Sequence, residues 1–204
     1  DVVVDDRGRL LVVGTTEGSF GGPPGGGEDV LVGMVTTSGT RKWIETFGSP
    51  ERDRGQRLAV GASRIFVVGT TEGALGSKNG GGSGIDVFVA ALSTQGSRKW
   101  TRQMGKEATL GGVAVADGVV RVAGTTLGSL GQNVPLADKE TGFVVTYEPN
   151  GSNLETRVFS NPLQDRVGGI AATSGGATYV TGFAEYPWGQ RRPGAYGAYL
   201  GRLD

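Results

Sequence analysis

With no histidine and no cysteine among its 204 residues, this chain has few routes to covalent or metal chemistry. Ser-His-Asp and Cys-His nucleophile systems are excluded, and so are imidazole and thiolate ligands, which removes the commonest zinc, copper and non-haem iron sites. Carboxylates and lysines are left. Hydrolysis of a glycosidic bond by paired acids needs two carboxylates held about 5–10 Å apart. Glu17 and Glu72 occupy matching places in the chain, but Leu127 stands at the third such place, so the spacing reads as solvated loop positions rather than a catalytic pair. Asp29 and Asp86 also match, and a short acidic side chain at such a place is expected to cap a turn by accepting backbone N–H groups. Asp5-Asp6-Arg7-Gly8 is too short for an oxygen cage and reads as a hairpin turn. The Gly-rich segments 21–28 and 76–85 lack Gly-Lys-Ser/Thr and a following helix, so they do not make a phosphate cradle. The reading assigns no catalytic residue, no metal and no cofactor.

Recognition is the chemistry that remains. Segment 185–196, Glu-Tyr-Pro-Trp-Gly-Gln-Arg-Arg-Pro-Gly-Ala-Tyr, places Tyr186, Trp188, Arg191 and Arg192 together where other parts of the chain carry Gly and small polar residues. Aromatics and arginine dominate binding hot spots through large contact area and planar donors, and Trp188 offers a face on which a sugar could stack. The competing expectation is that Tyr186 and Trp188 fold back over the protein. Asp53-Arg54 and Asp165-Arg166 also match in position, and salt bridges between neighbouring units are their ordinary explanation. Asn150-Gly151-Ser152 has the form of a glycosylation sequon and of an Asn-Gly hairpin turn, the turn being the better explanation.

The elements that would position these residues are repeated. Gly-Thr-Thr recurs at Gly14, Gly69 and Gly124, a constant step of 55 residues. A period near 50 built from short apolar runs marks a propeller or solenoid of repeated units. Each full unit offers four β-branched or apolar runs separated by Gly, Asn, Asp or Ser turns, and no run has helical periodicity. Four antiparallel strands per unit match the blade of a β-propeller. The fold class expected is therefore all-β, a propeller region over 1–204 with blades of about 50–58 residues. Their bounds are 1–56, 57–111, 112–168 and 169–204, the last lacking its outer strand. Trp43 and Trp100, equivalent on the fourth strands of units one and two, are expected to pack between adjacent blades.

Two stretches carry a family resemblance. Gly112-Val-Ala-Val-Ala-Asp-Gly-Val-Val-Arg-Val-Ala-Gly and Gly169-Ile-Ala-Ala-Thr-Ser-Gly-Gly-Ala-Thr-Tyr-Val-Thr-Gly resemble the core of the bacterial β-propeller repeats called SBBP repeats. Asp86-Val-Phe-Val-Ala-Ala-Leu and the tail Ser97-Arg-Lys-Trp-Thr-Arg-Gln-Met-Gly are similar to the same family. The resemblance covers nearly the whole chain. It implies an extracellular or cell-surface propeller of a bacterium, usually inside a larger protein, and carries no family-wide catalytic residues. The chain departs from the pattern at Thr141 and Gly197, where units one and two have Asp29 and Asp86, and at Glu155, where they have Trp43 and Trp100.

Charge and length bound the partners. Twenty basic and twenty acidic residues balance, which argues against non-specific nucleic-acid binding. No apolar run approaches the length of a membrane-spanning helix. The fourth unit ends on its third strand, so Gly197, Ala198, Tyr199, Leu200, Gly201, Arg202 and Leu203 are expected to form an open edge that pairs with another strand. The blades then continue into further blades or are completed by a partner chain; a self-closed four-bladed ring is the alternative. The function expected is a non-enzymatic binding or scaffold module, the alternative being a glycan-binding or carboxylate-based glycan-active propeller.

Overall fold

A computed structural model describes residues 1–18, 20, 26–61, 63–78, 84–128, 130, 140–159, 165–185 and 196–203. Those residues form strands and turns, with no helix among them. Sheet 1 contains β1 (Val2–Val4), β2 (Leu10–Thr16), β3 (Asp29–Val35) and β4 (Arg41–Phe47) in sequence order. Sheet 2 contains β5 (Asp53–Val60), β6 (Ile65–Thr71), β8 (Asp86–Leu92) and β9 (Arg98–Met104), with a two-residue strand, β7 (Ser77–Lys78), added in parallel beside β9. Sheet 3 contains β10 (Ala108–Ala116), β11 (Val119–Thr126), β12 (Thr141–Tyr147) and β13 (Asn153–Phe159). Sheet 4 has three strands, β14 (Asp165–Ala172), β15 (Thr178–Glu185) and β16 (Tyr196–Leu203). Apart from β7, neighbouring strands run antiparallel throughout.

The repeat extends to individual turns. Between the third and fourth strands of sheets 1, 2 and 3 the chain reverses through Gly39, Gly96 and Gly151, with φ of 82°, 90° and 89°. Each glycine donates its N–H back three residues, to the carbonyls of Thr36, Ser93 and Glu148. That is a type I turn closed by a left-handed residue, a conformation in which glycine carries no Cβ penalty. A register shift recurs at Gly55/Arg57, Leu110/Gly112 and Val167/Gly169 in the first strand of sheets 2, 3 and 4. It lies where the strand crosses its neighbour. A Cβ on Gly55 would meet the Val13 side chain at 2.5 Å, and one on Gly111 would meet the Val167 carbonyl at 2.8 Å.

Three hydrophobic clusters lie in the seams between consecutive sheets. Val30, Val32, Met34, Phe88, Ala90 and Leu92 belong to the seam between sheets 1 and 2. Val87, Val89, Ala91, Val122, Phe143 and Val145 belong to the next, and Ala123, Val144, Val167 and Val180 to the last. Strand β8 is therefore buried along its whole length, with alternate residues committed to opposite seams. This is why its sequence, Val-Phe-Val-Ala-Ala-Leu, is a continuous apolar run instead of an alternation. Among the described residues no such cluster joins sheet 1 to sheet 4.

Candidate functional site

The first candidate region is the free side of sheet 4. Among the described residues β16 pairs with β15 alone, whereas the third strands of sheets 1 to 3 each have a fourth strand beside them. The structure places Gly197, Ala198, Tyr199, Leu200, Gly201, Arg202 and Leu203 on this outermost strand. Tyr199 and Leu203 pack into the seam with sheet 3, and the alternation turns Leu200 to the opposite face. Leu200 is 72% exposed there, near Phe183 at 58%. By register, Leu200 pairs with Thr181 as Val89 pairs with Val68 in sheet 2, where both valines are fully buried against sheet 3. At the other end, Val2 and Val4 of β1 are 58% and 60% exposed, at places that Leu58 and Val60 fill in the seam between sheets 1 and 2. The row of sheets thus carries an exposed apolar patch on each outer face.

The second region is the set of seams. Arg54 pairs with Glu28 across the first, and Arg166 pairs with Glu140 through two bonds of 2.8 Å across the third, which are the inter-unit salt bridges the sequence suggests. Both pairs are exposed and contribute little stability. The tryptophans do more. Trp43 Nε1 donates to the Thr94 carbonyl at 3.2 Å, and its ring lies on Gly96 of the next sheet's turn. Trp100 Nε1 donates to the Pro149 carbonyl at 2.8 Å, and its ring lies on Gly151 in the same manner. Phe66 and Tyr147 flank Trp100 at centroid distances of 6.0 Å each. Burial pushes the Tyr147 hydroxyl up to about 12, so it stays neutral at physiological pH.

Buried carboxylates meet at the start of the seams. Asp86 accepts a 2.7 Å bond from Gln103 Nε2, which also donates to the Gly73 carbonyl, while Leu75 N–H donates to Gln103 Oε1. The side-chain amide at Asp86 is a partner that the turn-capping expectation did not include. In the first seam Asp29 and Asp53 are both fully buried. A Cβ on Gly48 would touch Asp29 Oδ1 at 1.8 Å and Asp53 Oδ2 at 3.1 Å, so the two carboxylates lie against one bare backbone position. Burial raises the pKa of Asp53 above the usual carboxylate value, and Asp29 adds like-charge repulsion. The Ser49 N–H and hydroxyl, which donate to Asp53 Oδ2, offset part of this. No three acidic residues converge on one point among the described residues.

The remaining positions are surface features. Glu17 and Glu72 are exposed. Asp5 accepts the Arg7 and Arg9 N–H groups in the β1–β2 turn; burial raises its pKa, but its bonds to Arg9 and Arg7 outweigh that and hold it below the usual value. Asn150-Gly151-Ser152 is a hairpin turn in which Ser152 N–H donates to Asn150 Oδ1. Tyr186, Trp188, Arg191 and Arg192 lie outside the described residues, and the glycan-stacking expectation attached to Trp188 lies there with them. Sequence reading passed over two features: the Asp29–Asp53 meeting, which needs strands from two units, and a cleft beside Arg121. The only sequence signal for the cleft is that Arg121 and Glu155 stand where unit two has Phe66 and Trp100. No family model matches the chain, and neither does any curated protein.

Proposed function

We propose that the chain is a run of SBBP-type β-propeller blades acting as a non-enzymatic binding and scaffold module of a bacterial surface or secreted protein. Its open side receives a further sheet of the same repeat kind. The observation that carries this is the exposure of Leu200 and Phe183 on the face that, in sheet 2, is buried by the next sheet in the chain. The first two seams join one sheet to the next by the same rule. The inner strand of the following sheet lies across the preceding one, and its first N–H donates to the residue before that sheet's third strand. Asp53 N–H bonds the Glu28 carbonyl and Ala108 N–H bonds the Ile85 carbonyl. Sheet 4 offers the receiving surface of that joint, so the occupant that fits is another sheet with the chemistry of β1 and β2. Contiguous exposed apolar surface rimmed by polar residues is the ordinary mark of such an interface.

The test is the native mass of the chain purified from its source, combined with amide exchange along β16. The expected result is a particle larger than 21.0 kDa in which the Gly197–Leu203 amides are protected only while the companion is bound. A stable species of one chain with those amides fully protected would overturn the reading, because the sheets would then close on themselves.

A further inference from the structure

The seams differ in what fills them at their outer end. Between sheets 2 and 3, Phe66, Trp100 and Tyr147 form an aromatic cluster. The same places between sheets 3 and 4 are held by Arg121, Glu155 and Leu203, as the register shows: Ala91 lies between Phe66 and Trp100 where Thr146 lies between Arg121 and Glu155, and Val120 pairs with Tyr147 where Thr178 pairs with Leu203. Exchange of three rings for an arginine, a carboxylate and a leucine leaves a cleft of about 80 Å³ lined by Arg121, Thr146, Glu155, Arg157, Thr178 and Leu203. That is several times the space one water needs. Arg157 Nε is bonded to Glu155 Oε1 at 2.6 Å, on the solvent side. Arg121 has no such companion among the described residues. Its Nη1 is out of contact with solvent and has no hydrogen-bond partner. An N–H group withdrawn from water without an acceptor is costly, and an acceptor brought to the half-buried guanidinium offsets that cost.

We propose that this cleft is a carboxylate-binding site, with Arg121 as principal donor and Arg157 as the second. The lining carries two positive charges and one negative, so it is short of one anionic group. A planar guanidinium fork matches a carboxylate through paired N–H bonds. The cleft admits the carboxylate of a small free acid or the acidic side chain of a docked peptide. It lies between sheets 3 and 4, away from the open face, so it stands whether or not a further sheet docks on sheet 4.

The test titrates sodium acetate at constant ionic strength into the parent chain and into Arg121→Met and Glu155→Gln, following Tm and the arginine side-chain resonances. Acetate at ten times its Kd should raise the Tm of the parent by about 3 °C. Arg121→Met should lose that response without losing stability of its own, since it removes a buried N–H that has no acceptor and keeps the stem's packing. Glu155→Gln should bind acetate several-fold more tightly, because it releases Arg157 from a competing carboxylate. Glu155 is half exposed, so that variant folds whatever Arg121 contributes to the core. Equal responses in the parent and Arg121→Met, weaker binding in Glu155→Gln, or no saturable change up to about 0.1 M acetate would each overturn the proposal. A blocked Gly-Asp-Gly peptide separates the sources. If it matches acetate, the ligand is an acidic side chain; if it is silent where acetate acts, the ligand is a small free acid.

Discussion

Sheets 2 and 4 are built from the same repeat, and one position shows what separates them. Val89 and Leu200 are equivalent by register, yet Val89 is fully buried and Leu200 is 72% exposed. The backbone is alike in both places, with the same antiparallel partners on the second strand. The difference lies in the neighbours: β8 has β9 at its side and sheet 3 over its face, and β16 has neither among the described residues. Burial in this molecule is therefore a property of the joint between units and not of the unit, which is the behaviour expected when each repeat touches only its neighbours. A unit cannot cover its own apolar faces, and an end unit keeps one face open.

The largest test of that contrast puts a charge at both places. Val89→Asp should cost more than about 4 kcal/mol and abolish cooperative folding, because an unpaired carboxylate would sit in the seam between sheets 2 and 3. Leu200→Asp, the same change at the equivalent place, should stay within about 0.5 kcal/mol of the parent. Urea titration of the two variants measures both. Similar losses in the isolated chain would mean that another part of the same chain covers sheet 4.

A smaller effect separates the second and third seams. Trp100→Ala removes the ring seated on Gly151, two aromatic contacts and the bond to the Pro149 carbonyl, and is expected to cost about 3 kcal/mol. Glu155→Ala, at the matching place one sheet later, gives up only an exposed ion pair to Arg157 and should cost less than about 0.5 kcal/mol. Thermal or urea unfolding of the pair reads the difference as the contribution of the aromatic latch.

Much of this arrangement is legible in the sequence, for a specific reason. Short strands and turns are encoded locally, so the Gly-Thr-Thr step, the turn glycines at 39, 96 and 151 and the run at 86–92 give the units and their strand count. Equivalent tryptophans also imply equivalent packing, which is how Trp43 and Trp100 could be assigned to the joints. What could not be read is anything made by residues brought together from two units at positions that do not repeat. Asp53 faces Asp29 through the crossing of β5 over sheet 1, and Arg121 Nη1 lies buried without a partner while Glu155 bonds Arg157. The 55-residue period hides such departures, since alignment draws attention to what the units share.

The smallest expected effect distinguishes the first seam from the second. Ala108 of β10 occupies the place of Asp53, each paired with the threonine that ends the second strand, so the second seam has no such acid pair. Asp53→Asn keeps an oxygen for the Ser49 donors while it removes the like charge beside Asp29. The folded-state pKa of Asp53 is raised, so the folded protein holds this proton more firmly than the unfolded chain does. Its contribution is fully present below the unfolded pKa of about 4 and is lost as pH rises through the higher folded value. The asparagine variant has no proton to lose. It should therefore be more stable than the parent at pH 7, and its advantage should shrink steadily as pH falls toward about 4. Parallel urea titrations at a series of pH values measure this; an advantage that stays constant with pH would show that charge at Asp53 plays no part and that the gain comes from hydrogen bonding alone.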